Sequence, residues 1–327
     1  MSKHTNAGMT LEQRIGPRGR FTLRQASGDI FIRGVEGDTV RVKSLDDKPL
    51  SEVFDVEVGD DHVDLRQRDG VEFGLGMFRR GSSMDLKVEV PHGASLSIET
   101  ASADIGATDL SGTKHFRTAS GEVSLARIAG AVEVETVSGE IEIEGAAPLD
   151  LTAKSVSGDM DVRVPSVRRL DVATTSGDIR LDAELSGNGP FAMRSISGDA
   201  IIVGRTGFRV EAQTITGDLS SDLPSKRESM PGRKILVVGR PGPTLTFRSV
   251  SGDLHVTEPR DAAPAIDTTL EESMDETTPT TDSGQPEPGE ASEAEGKRLE
   301  ILRALERGDI SVAEATEQLG QLDEVRA

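Results

Sequence analysis

The sequence predicts an all-β fold: a single-chain β-solenoid (β-helix-like) with rungs of about 18–21 residues. The first observation is a recurring tripeptide. It stands at Ser120-Gly121-Glu122, Ser138-Gly139-Glu140, Ser157-Gly158-Asp159, Ser176-Gly177-Asp178, Ser197-Gly198-Asp199 and Thr216-Gly217-Asp218, with outlying copies at Ser27-Gly28-Asp29 and Ser251-Gly252-Asp253. From a degenerate copy at Ser102-Ala103-Asp104 the steps are 18, 18, 19, 19, 21 and 19 residues. The second observation is composition. Trp, Tyr and Cys are absent and the 9 Phe are the only aromatics, so the core is aliphatic, and the Val, Ile, Thr and Gly content suits strands and turns. The third is the columns that appear when the copies are aligned on the Ser. Four residues before it stand Ile98, Phe116, Val134, Ala153, Val172, Met193, Ala212 and Phe247; three after stand Ile105, Val123, Ile141, Met160, Ile179, Ala200, Leu219 and Leu254.

Period-two alternation on both sides of the tripeptide means two short strands per rung. At the corner between them the Gly supplies a backbone that L side chains avoid. The acid is read as a cap on its own turn. Rungs then stack about 4.8 Å apart, like upon like. Two before the Ser runs a hydroxyl column: Thr100, Thr118, Thr136, Ser155, Thr174, Ser195, Thr214 and Ser249. It shares parity with the apolar columns and is expected to face inward, bonding neighbouring hydroxyls or backbone.

In chain order, residues 1–19 read as a flexible start, and 20–257 as the solenoid. The repeat breaks after the first copy, and an insertion over 38–92 reads as a β-rich N-terminal cap, since solenoids need atypical terminal units. Inside it, Phe73, Met77 and Phe78 lie in a Gly-rich loop with Arg79 and Arg80, a candidate interaction patch. The 35-residue step from Thr216 to Ser251 reads as one rung with a lost tripeptide plus a loop. Residues 258–296 hold 12 acids against one base, which predicts a disordered acidic linker. Residues 297–327 predict a helical hairpin. Leu299, Leu302 and Leu305 stripe one helix, and Gly308 ends it. Ser311 and Glu314 form a capping box for a second helix with Val312, Ala315, Leu319 and Leu322 on its apolar side. Two helices this short cannot bury enough surface alone, so the hairpin is expected to self-associate or dock a protein partner.

The net charge of −20 argues against nucleic acid. No apolar run approaches the length of a membrane span, and no signal-peptide pattern opens the chain, so the expectation is a cytoplasmic protein, with or without envelope association. No cofactor is expected. The five His lack metal-ligand spacing, and no Gly-x-Ser-x-Gly or phosphate loop occurs. Stacked acids about 5 Å apart could instead hold Ca²⁺ between turns, an alternative to the capping role. A polysaccharide-active enzyme would need a rung with a non-repeating catalytic cluster, and none is evident.

The units Thr136-Val137-Ser138-Gly139-Glu140-Ile141 and Thr174-Thr175-Ser176-Gly177-Asp178-Ile179 resemble the repeats of the bacterial "putative adhesin" domain-of-unknown-function family. The stretch Arg298–Leu322, with Glu306-Arg307-Gly308-Asp309-Ile310-Ser311-Val312-Ala313-Glu314-Ala315, is similar to the SHOCT-like hairpin of YvlB/LiaX-like envelope-stress proteins, where it is usually N-terminal. The first resemblance implies a right-handed solenoid and no established catalytic residues. Together they imply a non-enzymatic scaffold or interaction protein in the cell-envelope stress response. The alternatives are an adhesin-like module that binds carbohydrate or a surface, and a β-helix enzyme.

Overall fold

The computed structural model describes residues 3–4, 8–46, 48–68, 83–230, 233–240 and 242–259. Apart from one helical turn, Leu50–Val53, the regular elements among the described residues are strands. They form two ladders that meet at the tripeptide corner. One ladder is built from the strands before each corner, such as Lys114–Ser120. The other is built from the strands after it, such as Ile105–Thr108. Neighbours pair in parallel and in repeat register. Phe116 lies beside Ile98 and Val134, and Val123 beside Ile141, which lies beside Met160. The expected apolar columns therefore stack, and they fill one continuous core.

The order of rungs in space differs from the order in sequence at both ends. Each rung can be named by its corner Ser or Thr. At the C-terminal end the last rung in sequence, that of Ser251, lies between those of Ser197 and Thr216. Leu245 pairs with Phe191 on one side and Val210 on the other, and Leu254 pairs with Ala200 and Leu219. The 35-residue step is thus not a degenerate rung. It is an antiparallel hairpin, Ser225–Met230 and Arg233–Val238, laid on Phe208–Thr216 before the chain turns back.

The N-terminal end repeats the device. The Ser27 rung lies between the Ser102 rung and a rung that the alignment did not show, made of His62–Gln67 and Leu86–Pro91. In that rung Ser83-Met84-Asp85 takes the corner, Asp85 Oδ1 accepting the Asp29 N–H, and residues 69–82, before it in sequence, lie outside the described residues. Part of the stretch read as a cap is therefore a rung. The cap proper consists of Thr39–Ser44 and Phe54–Val58, antiparallel on its two strands. Residues 1–19 also need correction: Thr10–Arg14 pairs with Thr39–Ser44, and Leu11 and Ile15 are buried.

Candidate interaction surface

The corner fixes what the repeat can present. The corner glycines Gly28, Gly121, Gly139, Gly158, Gly177, Gly198, Gly252 and Gly217 have φ between +110° and +142°. A methyl built on Gly158 would overlap the carbonyl of Gly139, and one on Gly177 that of Gly158. Gly is therefore needed twice, for its φ and for the close approach of the next rung.

The acid does not cap its own turn. Its Oδ1 accepts the amide N–H of the acid one rung further along. Asp178 N–H donates to Asp159 at 2.8 Å, Asp199 to Asp178 at 2.8 Å, Asp253 to Asp199 at 2.8 Å and Asp218 to Asp253 at 2.7 Å. Asp104 serves Glu122 and Asp85 serves Asp29 in the same way, both at 2.9 Å. Glu122 and Glu140 accept no such bond among the described residues. One extra methylene carries the carboxylate past the donor. The acids from Asp104 onward are exposed, Asp29 and Asp85 are half-buried, and Lys234 donates to Asp218 Oδ1 at 3.3 Å. Among the described residues no group of three His, Cys, Asp or Glu side chains is placed to hold a metal.

The Thr/Ser column faces inward, as its parity requires. Thr118, Thr136, Thr174, Thr214 and Ser249 donate to the backbone carbonyl of their own corner Ser or Thr at 2.8–3.1 Å. Thr100, Ser155 and Ser195 have buried hydroxyls without a partner. The hydroxyl of the corner Ser itself is on the exposed side. Lys114 departs from the repeat: it occupies an apolar core column, pairing with Leu96 and Val132. It is fully buried, and its Nζ donates to the carbonyls of Leu110, Gly112 and Ala129. Burial pushes its pKa down to about 8, so it is protonated at neutral pH.

Sequence reasoning missed the outward column immediately before the Ser. In spatial order it reads Ala26, Ala101, Ala119, Val137, Val156, Thr175, Ile196, Val250 and Ile215. From Val137 onward it is a ridge of exposed β-branched side chains. The signal was present in the alignment, as apolar residues at outward parity. A cleft of about 360 Å³ at its start is lined by Arg117, Glu135, Lys154, Val137 and Val156. There Glu135 bonds both Arg117 and Lys154, which hold its carboxyl at about 2. A second cleft, about 470 Å³, lies on the other ladder between the exposed Phe31 and Leu45.

A Ser–His–Asp juxtaposition also went unseen. Ser220 Oγ lies 2.8 Å from His255 Nδ1, and Asp222 lies 3.0 Å from His255 Nε2. Ser220 and His255 are register neighbours on the outward sheet face, and the His and Asp side chains are substantially exposed. Such a setting offers none of the water exclusion on which electrostatic catalysis depends, and we assign it no chemistry. Phe73, Met77, Phe78, Leu299, Leu302, Leu305, Val312 and Leu319 lie outside the described residues.

No curated protein matches the chain at a significant level. Solved structures similar to it include a "putative cell adhesion protein" from Clostridium sporogenes at 10% identity, covering 79% of this chain and 100% of that one with a TM-score of 0.26. A "putative adhesin" from Bacteroides fragilis is 13% identical, covering 78% and 98%, with a TM-score of 0.41. A "putative lipid binding protein" from Parabacteroides distasonis is 11% identical, covering 79% and 98%, with a TM-score of 0.30. The cytoplasmic expectation is corrected by these findings. Proteins similar to this chain are named for adhesion, whereas that expectation rested only on features the sequence lacks. No helix among the described residues is long and apolar enough to cross a membrane. Residues 19–257 match the family described as Toastrack DUF4097, and the chain belongs to that family.

Proposed function

We propose that this chain is a non-enzymatic repeat scaffold that acts by binding other proteins. Residues 297–327 serve as its docking or self-association element within a bacterial envelope-stress response. The observation that carries the reading is how the repeat spends its polar groups. Its acids hold the next rung's amide, and most of its inward hydroxyls hold their own corner carbonyl. The repeat thus offers long columns of regularly spaced outward side chains, and the Ser220–His255–Asp222 set that converges on it lies open to solvent. The resemblance of Arg298–Leu322 to an envelope-stress hairpin supports the second half. The test is capture of partners by the full chain and by a Leu302→Asp/Leu319→Asp variant. Loss of specific partners in the variant is expected, and identical captured sets would remove the docking role. Binding to a glycan array that the variant retains would instead favour the adhesin-like alternative.

A further inference from the structure

We propose that the apolar ridge Val137–Val156–Thr175–Ile196–Val250–Ile215 is an interface between two copies of this chain, related by a twofold axis parallel to the stack. The ridge is unusual for an outward position. Five of its six side chains are large and apolar, and they are 46% to 79% exposed. At rung spacing they form one continuous strip.

The flanks choose the occupant. On one side, two residues before the ridge residue, the six rungs carry Glu135, Lys154, Ala173, Arg194, Arg248 and Gln213, a column with three bases and one acid. Arg194 and Arg248 are register neighbours, and Arg248 has no ion pair among the described residues. On the other side runs the acid ladder, with Asp159, Asp178, Asp199, Asp253 and Asp218 in consecutive rungs. Like charges about 5 Å apart repel by roughly 0.8 kcal/mol per pair even in water. Within each copy Glu135 pairs Lys154, Asp171 pairs Arg194 and Lys234 pairs Asp218, so among the described residues the unpaired charges are Arg248 on one flank and Asp159, Asp178, Asp199 and Asp253 on the other.

A twofold axis along the ridge sets this flank of each copy against the acid flank of the other, so that a base meets an acid in the Ser157, Ser197 and Ser251 rungs. Lys154 faces Asp159 of the second copy, Arg194 faces Asp199 and Arg248 faces Asp253, while each ridge residue faces itself. A twofold across the ridge sets acid against acid and is disfavoured. Five rung steps give roughly 24 Å of length and the flanks roughly 20 Å of width, on the order of 500 Å² per copy, at the small end of specific interfaces. A reversible dimer in the micromolar range follows.

This surface rests on the scaffold reading but not on the tail, and the experiment separates them. Sedimentation equilibrium of the full chain over about 1–100 µM is expected to show a dimer that weakens with salt. Ile196→Asp/Val250→Asp is expected to weaken it at least tenfold without shifting the melting temperature, and Leu302→Asp/Leu319→Asp to leave it intact. Because the chain has no Cys, single variants report orientation. Val137→Cys and Ile215→Cys, at opposite ends of the ridge, should each form a disulfide to the same residue of the second copy. A monomer throughout, a dimer lost only in the tail variant, or cross-linking of a Val137→Cys chain only to an Ile215→Cys chain would each overturn the proposal.

Discussion

Replacing Gly158 with Ala tests the corner as the structural unit of the stack. Gly158 has φ +131°, a backbone that L side chains rarely adopt, and holding it costs about 1–3 kcal/mol. The added methyl also overlaps the Gly139 carbonyl. Because rungs repeat about every 4.8 Å, the neighbour cannot retreat without breaking the ladder, and overpacking of this kind adds about 1–3 kcal/mol. Gly187→Ala is the internal control: its φ is +80°, but the nearest atom, the Arg168 carbonyl oxygen, is 4.0 Å away. It pays for conformation alone, about 1 kcal/mol. For a domain of this size 1 kcal/mol moves the melting temperature by about 2–4 °C. Gly158→Ala should then lose about 12 °C, and at least about 4 °C, and Gly187→Ala about 3 °C. With no Trp or Tyr the readout is far-UV circular dichroism or calorimetry. The Ala103 corner shows what would refute this: it turns with no positive φ. If Gly158→Ala melts with wild type, the corner switches to that geometry without cost, and glycine is not what spaces the rungs.

Three further outcomes follow from the same contacts. Asp178→Ala should cost about 1–2 kcal/mol by stripping a charged acceptor from the Asp199 amide. Asp178→Glu should cost nearly as much, because Glu122 and Glu140 make no such bond, and hydrogen exchange at the Asp199 amide reports it directly. Lys114→Met keeps the buried stem but leaves the carbonyls of Leu110, Gly112 and Ala129 without their donor, so a loss of about 2–4 kcal/mol is expected in denaturant melts. The Glu135 carboxyl, held at about 2 by Arg117 and then Lys154, lies below its unfolded value. Its stabilisation is therefore whole above about pH 4.5 and is lost as pH falls through 2. Carbon-detected NMR should find that titration near 2, and Arg117→Ala should raise it toward the ordinary range.

What the sequence disclosed, and what it hid, follows from how local each cause is. The strands, the inward hydroxyls and the corner glycines were legible because each depends on alternation within one rung: Phe116 and Thr118 point inward because they differ by two. The direction of the carboxylate bond was not, since capping one's own turn and capping the next rung's both need an Asp at the same place. Only the silence of Glu122 and Glu140 separates them. The Ser83-Met84-Asp85 rung was hidden because its insertion falls at the corner, the one place where the alignment needed continuity. The exposed ridge is written in Val137, Val156, Ile196 and Val250, but at outward parity an apolar residue adds nothing to the core, so alternation alone gives it no place in the fold.

The exchange of rungs at the two ends was illegible for a deeper reason, and it says how such a stack is closed. Equivalent rungs present equivalent columns, so any one can pack on any other. Phe247 sits as well between Met193 and Ala212 as a rung in sequence order would. What the exchange changes is the edge. A solenoid ended by its own terminal rung would leave that rung paired on one side only, free to fray and to template another chain. Here the first rung in sequence is held between those of Ser83 and Ser102, and the last between those of Ser197 and Thr216. Three of the four outermost rung strands are then covered by antiparallel strands: Phe54–Val58 on His62–Gln67, Thr39–Ser44 on Leu86–Pro91, and Arg233–Val238 on Phe208–Thr216. The fourth, Leu219–Ser221, is only three residues long, too short to recruit a partner strand firmly. Closing the ends leaves the long outward faces as the surfaces open to a partner, which is why the ridge and its charged flanks, rather than the strand edges, carry the prediction of self-association.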